Sequence, residues 1–511
     1  VGRERWLLLA WALVLFAACL FLHTRQNAFP YYYHPDEPGK VEQVLTGEWN
    51  FHHPMLLLAT TRAVVQIAGV SQAEQPVVEV GRGVSAAFTA LAVVALSVLA
   101  FAWRGWAAGL AAGAALMGHH QLFELAHYFK EDSALLAGLA LTFMMLLACW
   151  WHPSATRAAL LGVACGLAVS GKYLGVVSIG LALPVLWMAP ERHRVRLAAF
   201  GVALAVTFVV INLPLLLHLA TFRASLGREM DFVVNGQRGL TRSVPHLQYW
   251  NSFIDNTTPA IWVLLAVFLH ARWRERRTLS LPEWMIIGFP FAYAAALSFS
   301  PKTNDRYFLP ATALFTLQAA LGAVDFARAF AWRHTRRRWL GGAVGGLIVC
   351  QLVSPPSPLD WKCFAEYWAA FQVDDNAELR KWVRQLPPTA VIAKDSRVAL
   401  PDPTKKRDVA RLGTIPQKVL GERFAADLGT VEELRARGVT HVAVSESDYG
   451  RFFLNGLRPQ AGEKVDFDRR KTFYESLLRD EELIYERDRG TVIYLHPGIR
   501  VYRLTPPPAV P

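Results

Sequence analysis

Long apolar blocks alternate with short polar gaps from Trp6 to Val353, and that alternation organises the chain. The first block, Trp6–Leu22, follows Arg3 and Arg5 and lacks a small-residue cleavage site. It predicts an uncleaved signal anchor with its N-terminus inside. Residues 25–79 are too polar to span and form the first outer loop, in which Met55–Val70 predicts an interfacial helix. Further blocks run over Val84–Trp103, Trp106–Phe123, Ala134–Trp151, Ala158–Ser170 and Leu174–Met188. Leu197–Leu219, Ala260–His270, Trp284–Phe299, Tyr307–Phe330 and Leu340–Val353 complete the series. That makes about eleven spans, some shorter than the ~20-residue norm.

Beyond Ser354-Pro355-Pro356-Ser357-Pro358 the pattern changes. Helical signals over Asp374–Gln385, Val431–Arg437 and Lys471–Arg479 alternate with strand signals over 390–396, 440–446 and Ile499–Leu504. The alternation predicts a small α/β domain with a mainly parallel sheet. No GxGxxG or P-loop pattern occurs, so no nucleotide site is expected. The expected architecture is a polytopic α-helical membrane domain over residues 1–354, followed by a soluble, extracytoplasmic α/β domain over 355–511.

Composition supports this class: of 511 residues, 53% are hydrophobic and only 18% charged. The net charge of +12 raises the question of nucleic acid. However, the arginines cluster in the short gaps 191–196, 271–277 and 332–339, with Trp103, Trp106, Trp150, Trp151, Trp187, Trp273, Trp332 and Trp339 at the same ends of the blocks. Basic gaps and interfacial tryptophans together are the positive-inside pattern, so membrane lipid and not nucleic acid is the expected surroundings. The five cysteines show no CxxC or metal-type spacing.

The carboxylate-bearing gaps then fall on the outer side: Asp36-Glu37, Glu131-Asp132 and Asn304-Asp305. The richest is Tyr31–Leu58, where three tyrosines precede Asp36-Glu37 between prolines and His52-His53-Pro54 closes the stretch. Carboxylates held at a membrane boundary suit proton abstraction from a hydroxyl, and a solvated loop after an anchor is the plain alternative. Lys172, Lys302 and Arg306 lie at outer turns and offer cations for a phosphate. Lys172 equally reads as a side chain snorkelling from a short span, and Lys302 and Arg306 as surface partners of Asp305. His34, His52 and His53 beside Asp36 raise a metal site, although their spacing matches no zinc signature. Glu124 and His127 read as interfacial residues at the end of a span.

Several of these segments resemble a known family. HPDE at 34–37, with GEWNFHHPMLLL at 47–58, is similar to the opening signature of GT-C glycosyltransferases of the protein O-mannosyltransferase and aminoarabinose transferase type. YFKEDSALL at 128–136 resembles their second acidic loop, GLAVSGKYLG at 166–175 their Lys-bearing turn, and NDRYFLPATALF at 304–315 a late element.

The resemblance implies an inverting transferase that takes sugar from a polyprenyl-phosphate donor to a lipid, glycan or protein hydroxyl. Its chemistry would lie on the extracytoplasmic face of the cell's inner membrane. Asp36 carries over as the base, with Glu37 beside it and Asp132 or Glu131 as the second acidic position. His53, Lys172, Lys302 and Arg306 become candidate phosphate ligands. No cofactor is firmly implied, and a divalent cation near the carboxylates stays open. The family often has a second proline where this chain has Met55, which puts the local turn and a phosphate role for His53 in question. A transporter or flippase of a lipid-linked or anionic substrate is the competing class. Sparse charge within the spans and the absence of a visible inverted repeat weigh against it. A membrane-anchored sensor is a third class, and eleven spans exceed what anchoring needs.

Overall fold

The computed structural model describes residues 2–188, 193–235, 240–242, 257–300, 304–333, 338–353, 364–454, 457–459, 462–487, 492 and 494–504. The chain forms two compact units, one of residues 1–234 with 245–365, the other of residues 235–244 with 366–511.

The first unit is helical. Among the described residues, five helices are long and apolar enough to cross a membrane: Glu4–Thr24, Glu74–Arg104, Glu131–Trp151, His193–Leu217 and Arg306–Phe330. Shorter apolar helices include Leu56–Ile67, Trp106–Met117, Ala155–Gly171 and Leu281–Leu297. Local chemistry sets several boundaries. Ser154 and Thr258 accept from backbone N–H groups at their helix starts, and Ser280 with Glu283 closes a capping box.

Two predicted spans are interrupted. The block Trp106–Phe123 divides at Gly118-His119, where the His119 ring caps a short second helix, His120–Ala126. The helix His193–Leu217 kinks at Asn212, whose backbone is non-helical, two residues before Pro214.

Alternation of the helices brings their ends together in two charged clusters. At one end Arg104 meets Glu275 at 2.5 Å, Arg272 meets Asp325 at 2.9 Å, and the Trp103 indole donates to Glu283 at 2.6 Å. The other end carries the carboxylates singled out above.

The second unit holds a five-stranded sheet in the order β3-β2-β4-β7-β6. Its strands are β2 (Val391–Lys394), β3 (Lys418–Gly421), β4 (His441–Ser445), β6 (Glu482–Arg487) and β7 (Ile499–Arg503). Strand β2 pairs parallel with β3 and β4, whereas β7 pairs antiparallel with β4 and β6. The sheet is therefore mixed and not mainly parallel. The sequence showed no strand signal at 482–487, whose charged ends blur the alternation. A separate ribbon joins β1 (Leu240–Arg242) to β5 (Leu457–Pro459).

Candidate functional site

Glu37 and Asp36 are adjacent in sequence and have opposite surroundings. Glu37 opens the helix Glu37–Thr46, with Pro38 in its first turn, and that helix directs its side chain inward. Its carboxylate is fully buried and grips Arg82, Nε–Oε1 at 3.0 Å and Nη2–Oε2 at 2.5 Å. Oε1 also accepts from the backbone N–H of Phe129 at 3.0 Å. The remaining Arg82 nitrogen donates to the carbonyls of Asn27 and Phe29, and the guanidinium lies 3.4 Å over the Phe29 ring. This fully buried pair joins the first loop, the helix Glu74–Arg104 and the segment before Glu131.

Phe129 is the keystone of that junction. Its carbonyl accepts from Lys40 Nζ at 2.8 Å, while its ring covers Gly81 so closely that a Cβ there would stand 2.6 Å from it. Any side chain at position 81 would displace the segment that sets Lys130, Glu131 and Asp132.

Asp36, at the N-cap of the same helix, stays 46% exposed. Its carboxylate contacts the ammonium of Lys130, and Arg306 Nη1 approaches the same oxygen at 3.5 Å. Partial burial opposes ionisation of Asp36, yet Lys130, His34 and Arg306 outweigh it and hold the carboxyl far below the usual range. The buried Lys130 ammonium is pushed down to about 7, first by desolvation and then by Arg306 and Lys40.

The second carboxylate pair divides its partners. Glu131 takes Lys40 Nζ at 2.6 Å and has His53 Nε2 at 3.8 Å. Asp132 takes Lys172 Nζ at 2.6 Å and has Arg306 Nε at 3.9 Å. Lys172 and Arg306 share the ring of Tyr307, at 4.6 and 5.4 Å from its centroid. Arg306 thus stands between the two aspartates, and Asp36, Asp132, Lys130, Lys172 and Arg306 form one connected cluster at the rim of the bundle.

The Met55 departure from the family pattern has a structural reason. Its backbone N–H donates to Asn212 Oδ1 at 2.9 Å, and a proline would remove that donor. Asn212 Nδ2 in turn donates to Ser170 at 2.8 Å, two residues before Lys172. The helix kink therefore ties the histidine loop to the lysine turn. His53 remains near the cluster; burial and then the surrounding lysines press its pKa down to about 4, against the pull of Glu131, so it is neutral at pH 7.

No protein-family model matches this sequence, and neither does any curated protein. Among solved structures it is similar to ArnT from Cupriavidus metallidurans bound to undecaprenyl phosphate, at 15% identity and TM-score 0.48 over 100% of both chains. It is also similar to the oligosaccharyltransferase AglB from Archaeoglobus fulgidus in complex with an inhibitory peptide and a dolichol-phosphate. There the identity is 11% and the TM-score 0.48, over 87% of this chain and 70% of that one.

Of the residues read from sequence, Asp36, Glu131, Asp132, His53, Lys172 and Arg306 converge. Glu37 is present but has no exposed face. Lys302 lies outside the described residues. His52 stands apart, near Glu229 at 3.8 Å, and His34 is buried against Tyr128 with Nδ1 accepting from the Asp36 N–H. His127 bonds to backbone carbonyls of Phe123 and Arg25. Among the described residues no group of three His, Cys, Asp or Glu side chains is arranged to hold a metal. The carboxylates face lysines and an arginine, so the residues present do not fit a divalent cation.

Sequence reasoning missed Lys130, Lys40 and Arg82. The one available signal was that Lys130 lies within the same short motif as Glu131-Asp132 and that Lys40 follows Glu37 by three residues. Lys130, expected in an exposed gap, is only 2% exposed. Arg82 stands near the start of a helix and carried no signal at all.

Proposed function

We propose that the first unit is a membrane-embedded inverting glycosyltransferase. It would move a sugar from a polyprenyl-phosphate donor to a hydroxyl of a lipid, glycan or protein on the extracytoplasmic side. The observation that carries this reading is the half-exposed carboxylate of Asp36 beside two cations, one of which, Arg306, bridges to Asp132.

In the resting site Lys130 and Arg306 satisfy Asp36. An entering donor phosphate competes for Arg306, and cleavage of the anomeric C–O bond adds negative charge to that phosphate. A guanidinium drawn to the leaving group stabilises the transition state more than the ground state. Its withdrawal raises the basicity of Asp36 as the acceptor hydroxyl attacks, so proton capture and phosphate departure reinforce each other. Lys172, held by Asp132, supplies a further cation at the same rim. Glu37 serves as a positioning residue through Arg82.

The test is Asp36→Asn. Asn keeps the shape but cannot accept the proton, and loss of a general base lowers the rate ~10²–10⁴-fold. The readout is the envelope glycan or lipid missing from a deletion strain, found by mass spectrometry, with membrane levels of the variant checked. Restoration of that product at the wild-type rate by Asp36→Asn overturns the assignment. Accumulation of an untransported lipid-linked sugar in the deletion strain would favour the flippase reading instead.

A further inference from the structure

The second unit carries its own constellation, independent of the membrane site. From β2 the chain crosses to β3 on one side and then returns past β2 to β4 on the other. Connections leaving the neighbouring carboxyl ends of β2 and β4 therefore diverge. In open α/β sheets such a switch point opens a crevice where ligands bind.

Asp395-Ser396-Arg397 follow β2, Arg423-Phe424 follow β3, and Asp448 to Arg451 follow β4. The fully buried Asp395 fastens these connections together: it accepts from the N–H of Ala425 at 2.7 Å, the N–H of Ser445 at 2.9 Å and the Tyr474 hydroxyl at 2.7 Å. Burial, and then the neighbouring Asp448, push its pKa up to about 7.

Positive charge is concentrated here. Asp448 Oδ1 has Arg397 Nε at 3.4 Å and Arg451 Nη2 at 3.8 Å. The Phe424 ring has the guanidinium carbons of Arg423, Arg451 and Arg470 at 5.1, 5.2 and 4.9 Å from its centroid. Asp427 takes Arg470 at 2.7 Å and Arg469 at 3.0 Å. Asp448 and Asp427 thus each face two guanidinium groups, Asp466 adds a contact to Arg469 at 3.3 Å, and Arg397 Nη1 is buried without a hydrogen-bond partner. An unpaired buried donor is costly unless a ligand completes it.

We propose that this crevice is an anion site, taking one phosphate or carboxylate group carried on a sugar or a lipid headgroup. Arg397, Arg423 and Arg451 are its ligands. Guanidinium forks donate paired hydrogen bonds to either group, and the Phe424 ring lies against two of them, Arg423 and Arg451.

The experiment is ³¹P NMR of inorganic phosphate with the full chain in dodecyl maltoside, reading line broadening against phosphate concentration. Saturable broadening is expected. Arg397→Met and Arg451→Met should each weaken it about tenfold, as expected for one lost charge-assisted hydrogen bond. Arg423→Ala, at an exposed position, gives the same direction without touching the buried network, and circular dichroism confirms that each variant is folded. Broadening that survives these three variants but vanishes in Arg306→Met belongs to the membrane unit and overturns the proposal. So does an unbroadened line throughout. Glucuronate should compete and glucose should not; equal competition by both also overturns it. Stronger competition by a short-chain phosphatidylglycerol than by glycerol 3-phosphate assigns the anion to a lipid headgroup, and the reverse order assigns it to a soluble glycan.

Discussion

The carboxylate of Asp36 rests against the ammonium of Lys130, although the two residues lie 94 positions apart in the chain. Each therefore sets the other's proton affinity. His34, Lys40, His53, Glu131, Asp132 and Arg306 surround the pair and share in its electrostatics.

Lys130 gives the transfer reaction its pH dependence. Below about 7 it is charged and keeps Asp36 a weak base; above that value it is neutral and releases the carboxylate. The rate should climb with pH through about 7 and level off above it. Lys130→Arg, which stays charged, should give a low and flat profile. A rising limb that persists unchanged in Lys130→Arg assigns the titration to another group.

Glu37 and Arg82 should behave as a structural pair. Removing one partner of a buried ion pair leaves the other uncompensated, at about 3–5 kcal/mol. Glu37→Gln and Arg82→Leu should each lower the unfolding temperature of the purified protein, whereas Asp36→Asn, at a half-exposed carboxylate, should lower it less. A stable but inactive Glu37→Gln would instead move Glu37 into the chemistry.

Lys172 and Arg306 should differ in kind. Arg306 touches both aspartates, so Arg306→Met should lower turnover as well as raise the donor KM. Among the described residues the carboxylate partner of Lys172 is Asp132, so Lys172→Met should act chiefly on the donor KM. Initial rates at varied donor concentration separate the two. Wild-type kinetics in both variants would place the phosphate elsewhere.

Met55→Pro restores the residue common in the resembling family but removes the N–H that Asn212 holds. The loss of a buried hydrogen bond should destabilise the first unit by about 1–3 kcal/mol. Asn212→Leu in the Met55→Pro background should then lose only the bonds of its Nδ2, so the two changes together should cost less than the sum of the single changes. Additive losses in thermal unfolding would show that the two positions are not coupled.

The sequence by itself determined the helical blocks, the soluble tail and the gaps that carry chemistry, because hydrophobic run length and capping residues are local properties. It also determined that Asp36, Asp132, Lys172 and Arg306 would lie at one end of the spans, since alternating helices return each such gap to the same rim. Only the tertiary structure decided which of two adjacent carboxylates faces outward. A turn that begins one residue after Asp36 sends Glu37 into the bundle toward Arg82 and leaves Asp36 at the edge. The same holds for Lys130, whose burial depends on Phe129, in the segment before Glu131, closing over Gly81 of the helix Glu74–Arg104. Sheet order in the second unit was likewise beyond local pattern, because the antiparallel place of β7 between β4 and β6 is set by long-range pairing. Charge and proton affinity are properties of neighbours in space, and the chain alone names only neighbours in sequence.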